Sequence, residues 1–275
     1  MTTWTEHQGR IPVTVPVYTQ PQRVTQARVL RSEWTKLRTQ PSAGWALLSA
    51  VVLIIGFGIL YSLLREARPP HGAEMKAFDA ASVSLSGVQL AQIAVGVLGV
   101  LLITSEYASG LIRAGFAAVP RRLPILWGKA VLLVAATVAV SLPAVLVAFL
   151  AGQSILGRQH LAVSLGQPGV ARAVLLSGLF LALFGLLGMG IGAIVRNTAA
   201  AISAYVGVTF LLPLLLQQLS GNPARYTPVQ ILANSVSATV PHHNQVSVTL
   251  GLLLMVAYTA AALIAGAVVF KSRDA

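Results

Sequence analysis

The 275-residue chain contains no cysteine and little charge: 19 Lys and Arg, 7 Asp and Glu, together 9% of residues. Without a thiol it forms no disulfide, and a thiolate nucleophile or Cys-ligated metal or cluster is excluded. No Gly-x-x-x-x-Gly-Lys-Ser/Thr loop is present, so the chain lacks that route to nucleotide hydrolysis. His242 and His243 are adjacent, which keeps them off one helical face, and no cysteine or nearby carboxylate joins them. They read as a solvated loop rather than a metal site. The span interiors offer Ser and Thr without a His or carboxylate partner, which argues against an intramembrane hydrolase.

Six apolar segments fill the space that charge leaves. They cover residues 45–64, 87–105, 130–151, 173–195, 199–219 and 246–270, and every Lys, Arg, Asp and Glu lies outside them. About 20 apolar residues of helix cross a hydrocarbon core of about 30 Å. Backbone polar groups in lipid must bond within the segment, so such runs are spanning helices. At 56% hydrophobic and mean hydropathy +0.77, the composition excludes an ordinary soluble domain.

The formal charge of +12 would suggest nucleic acid in a soluble protein, but here it is read as span flanks meeting anionic headgroups. With the amino terminus inside, thirteen of the nineteen basic residues fall in inner segments. This predicts both termini in the cytoplasm. Residues 1–25, with Pro12, Pro16 and Pro21, read as a mobile cytoplasmic tail; residues 26–275 form the membrane domain.

Three connections carry pattern. Residues 27–38 place Ala27, Leu30, Trp34 and Leu37 at helical spacing beside Arg28, Arg31 and Arg38, as an interfacial helix would, and Pro41 breaks it. Ser105 to Ala118 is helix-compatible and is stopped by Pro120, which suggests an amphipathic helix on the inner face. On the outer side, Thr227 reads as an N-cap with Pro228 at the first helical position, opening a short helix through Val240. Gly188 and Gly192 have the small-xxx-small spacing of close helix packing, and Pro143 and Pro213 are candidate kinks. Gln89, Gln92, Ser203 and Tyr205 are polar candidates to line a cavity.

Several of these stretches resemble known sequence. RVLRSEWTKLRT (28–39) resembles the opening of actinobacterial type 2 ABC transporter permeases, with its Glu-Trp-x-Lys-like motif at Glu33, Trp34 and Lys36. SEYASGLIRAGFAAVPRR (105–122) is similar to the segment after span two in that family, and GLLGMGIGAIVRNTAAAI (185–202) to its Gly-rich span four and the Arg-Asn that follows. The resemblance covers nearly the whole chain after residue 25. It departs at Lys271–Ser272–Arg273, where tandem arginines are usual, and at Thr227–Pro228–Val229, where relatives often have Leu-Pro-Ser.

The resemblance implies an all-α, six-span, half-sized permease of the bacterial plasma membrane. It would dimerise with a second copy or homologue and bind a cytoplasmic ABC ATPase, which would hold the ATP and Mg; this chain itself would bind no cofactor. It makes the helix before span one an elbow helix carrying Glu33, Trp34 and Lys36. It makes the segment after span two a coupling helix, with Glu106, Tyr107, Gly110, Arg113, Arg121 and Arg122 toward the ATPase and Arg196 and Asn197 as a second contact. The implied activity is export of a hydrophobic or amphiphilic substrate. The alternative is a non-transporting anchor, immunity or sensing subunit of the same fold.

Overall fold

A computed structural model describes residues 26–72, 74–75, 78–108, 123–219, 221, 223–238 and 245–272. The tail 1–25, the pair His242–His243 and Gly110, Arg113, Arg121 and Arg122 lie outside the described residues. The described residues are overwhelmingly helical. In chain order the helices are α1 (Gln26–Thr39), α2 (Pro41–Ala67), α3 (Ala80–Ser84), α4 (Val88–Ala108), α5 (Leu123–Leu156), α6 (Val170–Val195), α7 (Thr198–Val206), α8 (Leu212–Leu216), α9 (Pro228–Val236) and α10 (Val248–Ser272). Six stretches are long and apolar enough to cross a membrane: α2, α4, α5, α6, the α7–α8 run and α10. This is a multi-pass membrane protein.

The bundle is built around α4 and α6, which pack on each other along their length and are mostly buried, whereas α2, α7 and α10 keep most of their surface outward. The close approach of α4 and α6 depends on glycine. A Cβ at Gly99 would overlap the carbonyl oxygen of Gly185, and one at Gly188 would overlap that of Gly96. Small residues are what bring helices together in lipid, where burying a leucine against protein or against an acyl chain is nearly equivalent. Tyr205 of α7 lies across Gly96, and its hydroxyl donates to the Gln92 carbonyl at 2.8 Å. Gln92 and Tyr205 are therefore interior groups of one bundle rather than cavity lining, while Ser203 is exposed.

The proline positions have distinct outcomes. Pro41 opens α2, where its missing N–H costs no hydrogen bond. Pro143 sits inside the continuous 34-residue α5. Pro213 follows a π-helical turn, Gly207–Leu211, which joins α7 to α8 within the fifth span.

Some helices run past the charge-free segments. Continuous helix carries α4 through Ser105 to Ala108, so the first residues expected in a separate inner helix belong to the second span. Helix α5 begins at Leu123, which places Lys129 in its second turn rather than before it. The expectation that all charge lies outside the spanning helices is corrected: Arg65, Glu66, Glu106, Lys129, Arg158 and Arg172 stand near the ends of those helices.

At the end of the bundle opposite α1, Asp79 joins two short helices. Its Oδ1 accepts from the backbone N–H groups of Ala81 and Ser82 and caps α3, and its Oδ2 accepts from Ser237 Oγ at 2.6 Å and the Ala238 N–H at 2.7 Å. Helix α9 ends at Val236, shorter than the stretch to Val240 that the sequence suggests. Thr227 and Pro228 take the expected positions, but the Thr227 hydroxyl turns back to donate to the Ala224 carbonyl instead of capping. Asp79→Ala should cost about 1–3 kcal/mol, since it strips a cap and leaves partly buried donors unmet. Thermal denaturation in detergent measures this, with Asp79→Asn, which keeps one acceptor oxygen, falling between the two.

Candidate functional site

The densest group of ionisable side chains among the described residues gathers where α1 meets the C-terminal end of α4 and the N-terminal end of α5. Helix α1 docks through Glu33 and Leu37, which are four residues apart and both buried. Trp34, expected on the same face as Leu37, turns outward and is half-exposed. Leu37 packs into an apolar cluster with Ala43, Leu98, Leu102, Leu126, Leu133 and Met189. Among its described side chains, from Arg31 onward, the helix rests on the bundle by one buried apolar residue and one buried carboxylate.

Four charges close into a ring above that cluster. Lys36 Nζ lies 2.7 Å from Glu33 Oε1 and 3.0 Å from Glu106 Oε1. Lys129 Nζ lies 2.6 Å from Glu33 Oε2 and 2.9 Å from Glu106 Oε1. Each ammonium donates to both carboxylates, and the ring is neutral in sum. Glu33 and Lys129 are each only 5% exposed, which sets this pair apart from a surface ion pair. At that depth the mutual attraction must offset a desolvation cost of several kcal/mol per ion. Lys36 is half-exposed and closes the outer side. Beside the ring, Gln40 Nε2 donates to Ser105 Oγ at 3.3 Å, a second link between α1–α2 and α4.

Glu106 thus has Lys36 and Lys129 as partners among the described residues; Arg113 lies outside them. Glu106 is mostly buried rather than a solvated carboxylate.

For Lys36, burial draws the pKa down, but the hydrogen bonds and charges of Glu33 and Glu106 outweigh it and hold the ammonium above the ordinary lysine value of 10.5. A raised folded-state pKa contributes stability that is fully present below the unfolded value and is lost as pH rises through the folded one. The contribution of Lys36 is thus intact at neutral pH and disappears only in alkali above the ordinary lysine range. Because the group is half-exposed, Lys36→Ala should lower stability by less than about 1 kcal/mol, read from thermal denaturation at pH 7.

Arg196 and Asn197 form the turn between α6 and α7, and do so by separate means. Arg196 adopts a left-handed backbone, φ 61°, and its N–H closes α6 on the Gly192 carbonyl. Its guanidinium donates to the Val269 carbonyl of α10 at 2.6 Å and stacks 5.1 Å from the centre of the Tyr107 ring at the end of α4. Asn197 caps α7, its Oδ1 accepting from the Ala200 N–H at 3.0 Å. Glu33 and Lys36, expected in the elbow helix, and Glu106, Tyr107, Arg196 and Asn197, expected toward a partner, all lie at the α1 end, in two adjoining groups joined by consecutive Glu106 and Tyr107.

Lys129 is the member that sequence reading missed, having been counted only as a basic flank. The signal was present. A lysine one turn into an apolar helix needs a carboxylate, and the connections expected at that end, apart from the chain's tails, offer only Glu33 and Glu106.

The ring can lock three helix ends together and can open if one is pulled away. It has no nucleophile–base pair, and among the described residues no cluster of His, Asp and Glu has metal-binding geometry. Comparison with known protein families found no matching family model, and no curated protein matches the chain.

Proposed function

We propose that this chain is the membrane subunit of an ATP-driven exporter, working as a dimer with a second permease copy and powered by a separate cytoplasmic ATPase. The observation that carries the reading is the ion-pair ring. It ties together the segments that the sequence resemblance makes transmission elements: Glu33 and Lys36 of the elbow motif, and Glu106 at the entry to the coupling segment. Movement of a coupling segment by an ATPase would act first on Glu106. The ring would pass that displacement to α1 and α5 at once, shifting the bundle between two packings.

With no phosphate loop in these 275 residues, this reading assigns ATP hydrolysis to a partner ATPase, and the uncharged span interiors suit an apolar or amphiphilic cargo. The basic-residue asymmetry supports a cytoplasmic α1 end, and the sequence resemblance supports a bacterial plasma membrane. Because the chain has no native cysteine, Ala275→Cys should be unreactive toward an impermeant thiol reagent in intact cells and labelled after permeabilisation.

Functional reconstitution is the central test. The purified chain alone should turn over no ATP. Co-purified with its ATPase in proteoliposomes it should show cargo-stimulated hydrolysis, which Glu106→Ala abolishes while insertion and expression persist. A stable complex without cargo stimulation, unaffected by Glu106→Ala, would instead assign the chain to a non-transporting anchor or sensing subunit.

A further inference from the structure

A half-open apolar groove of about 300 Å³ runs between α5 and α10 with α6 as its floor. Both walls pack on α6 and scarcely on each other, and small residues at Ala130, Ala260 and Ala267 hold the trough open. Met189 on the floor and Leu126 on the α5 wall are buried, and Trp127, Val256 and Ile264 stand exposed at its rim. Its one hydroxyl, on Thr259, is turned back to donate to the Met255 carbonyl at 2.8 Å, so nothing polar is offered inside.

The length and the ends of the groove identify an occupant. Along α10 it extends from Val256 to Ala267, about 16 Å at a rise of about 1.5 Å per residue. That matches one leaflet, half of a hydrocarbon core of about 30 Å. One end lies near the middle of the membrane-crossing part of α10, and the other reaches the α1 end, where Trp127 stands on the rim. A half-exposed tryptophan there suits the headgroup level. A cation is also present at that end: the guanidinium of Arg196, a partly exposed residue, bonds the Val269 carbonyl, two residues past Ala267.

We infer that the groove seats one acyl chain of an anionic phospholipid from the leaflet at the α1 end, with the net negative headgroup drawn by its phosphate toward Arg196 in preference to a zwitterionic one. A lipid chain gains little hydrophobic free energy by leaving other lipid chains, so selectivity must come from the fit of the slot and from the charge at its mouth. This inference needs only the membrane embedding and does not depend on the exporter reading.

Quenching of Trp127 fluorescence tests it directly. Trp4, Trp34 and Trp45 are replaced by phenylalanine in the full chain, which is reconstituted into phosphatidylcholine vesicles containing a small mole fraction of chain-brominated phosphatidylglycerol. Trp127 should be quenched out of proportion to the brominated fraction. Filling the trough with Ala260→Phe and Ala267→Phe should reduce quenching to the bulk proportion, whereas Leu253→Phe, on the same helix but outside the groove, should leave the excess intact. Chain-brominated diacylglycerol, which lacks the phosphate, should show no excess. Quenching in bulk proportion in the unfilled protein, or an excess that survives filling, would overturn the proposal. Equal excess with diacylglycerol would overturn the assignment of the phosphate to Arg196. A change of oligomeric state on filling, seen by size exclusion, would give the groove to a second copy instead.

Discussion

Lys129→Met should destabilise the protein by about 3 kcal/mol, because it removes an ammonium shared by two carboxylates and leaves Glu33, at 5% exposure, with one partner fewer. The loss is much larger than for Lys36→Ala, although both lysines touch the same two acids. Depth decides the difference: water can re-solvate the outer side of the ring but not the Glu33–Lys129 side. The compensating variant is Glu33→Gln with Lys129→Met. It removes one charge of each sign from the buried side and retains the Lys36–Glu106 pair, so most of the lost stability should return. Thermal denaturation in detergent of the two single variants and the double completes the cycle. The same proteins separate stability from transmission. If the ring carries motion from Glu106 to α1, the double variant should regain its melting temperature without regaining cargo-stimulated ATP turnover. Recovery of both would make the ring a structural clamp only.

The second large effect is expected at the α4–α6 contact. Gly99→Ala should destabilise severely, since the added methyl would overlap the Gly185 carbonyl and backbone on both sides leaves no side chain to move aside. Overpacking commonly costs about 1–3 kcal/mol, and a clash with backbone falls at or above the upper end. Gly56→Ala is the matched control. Gly56 lies in α2 with open space where its Cβ would stand, so alanine there should be neutral or stabilising by up to about 1 kcal/mol from helix propensity. Comparing the two by detergent denaturation distinguishes a packing glycine from a merely permissive one. Loss of stability in both would point to a general intolerance of the bundle instead.

The six spans and their order were legible in the chain because each is an unbroken apolar run of spanning length, and lipid permits no other backbone solution for such a run. The short turn at Arg196–Asn197 and the helix opening at Pro228 could also be read, since caps and prolines act over a few neighbouring residues. Gly188 was recognisable as a contact glycine from its spacing alone, but Gly96 and Gly99 were not, because a glycine in an apolar helix looks the same whether it meets a neighbouring backbone or lipid. Glu33, Lys36 and Glu106 stood out one at a time as charged residues in resembling motifs. That they share one ring with Lys129 was decided only in three dimensions: Glu33 and Lys129 are 96 residues apart, and no local periodicity relates them. The same holds for Asp79 and Ser237, 158 residues apart at the other end of the bundle. Hydropathy determines which segments enter the membrane because that free energy is a sum over single residues. Which face of α1 turns inward, and which carboxylate meets which lysine, depends on how the helices pack. There the apolar stripe placed Trp34 inward, and the buried charge put Glu33 there instead.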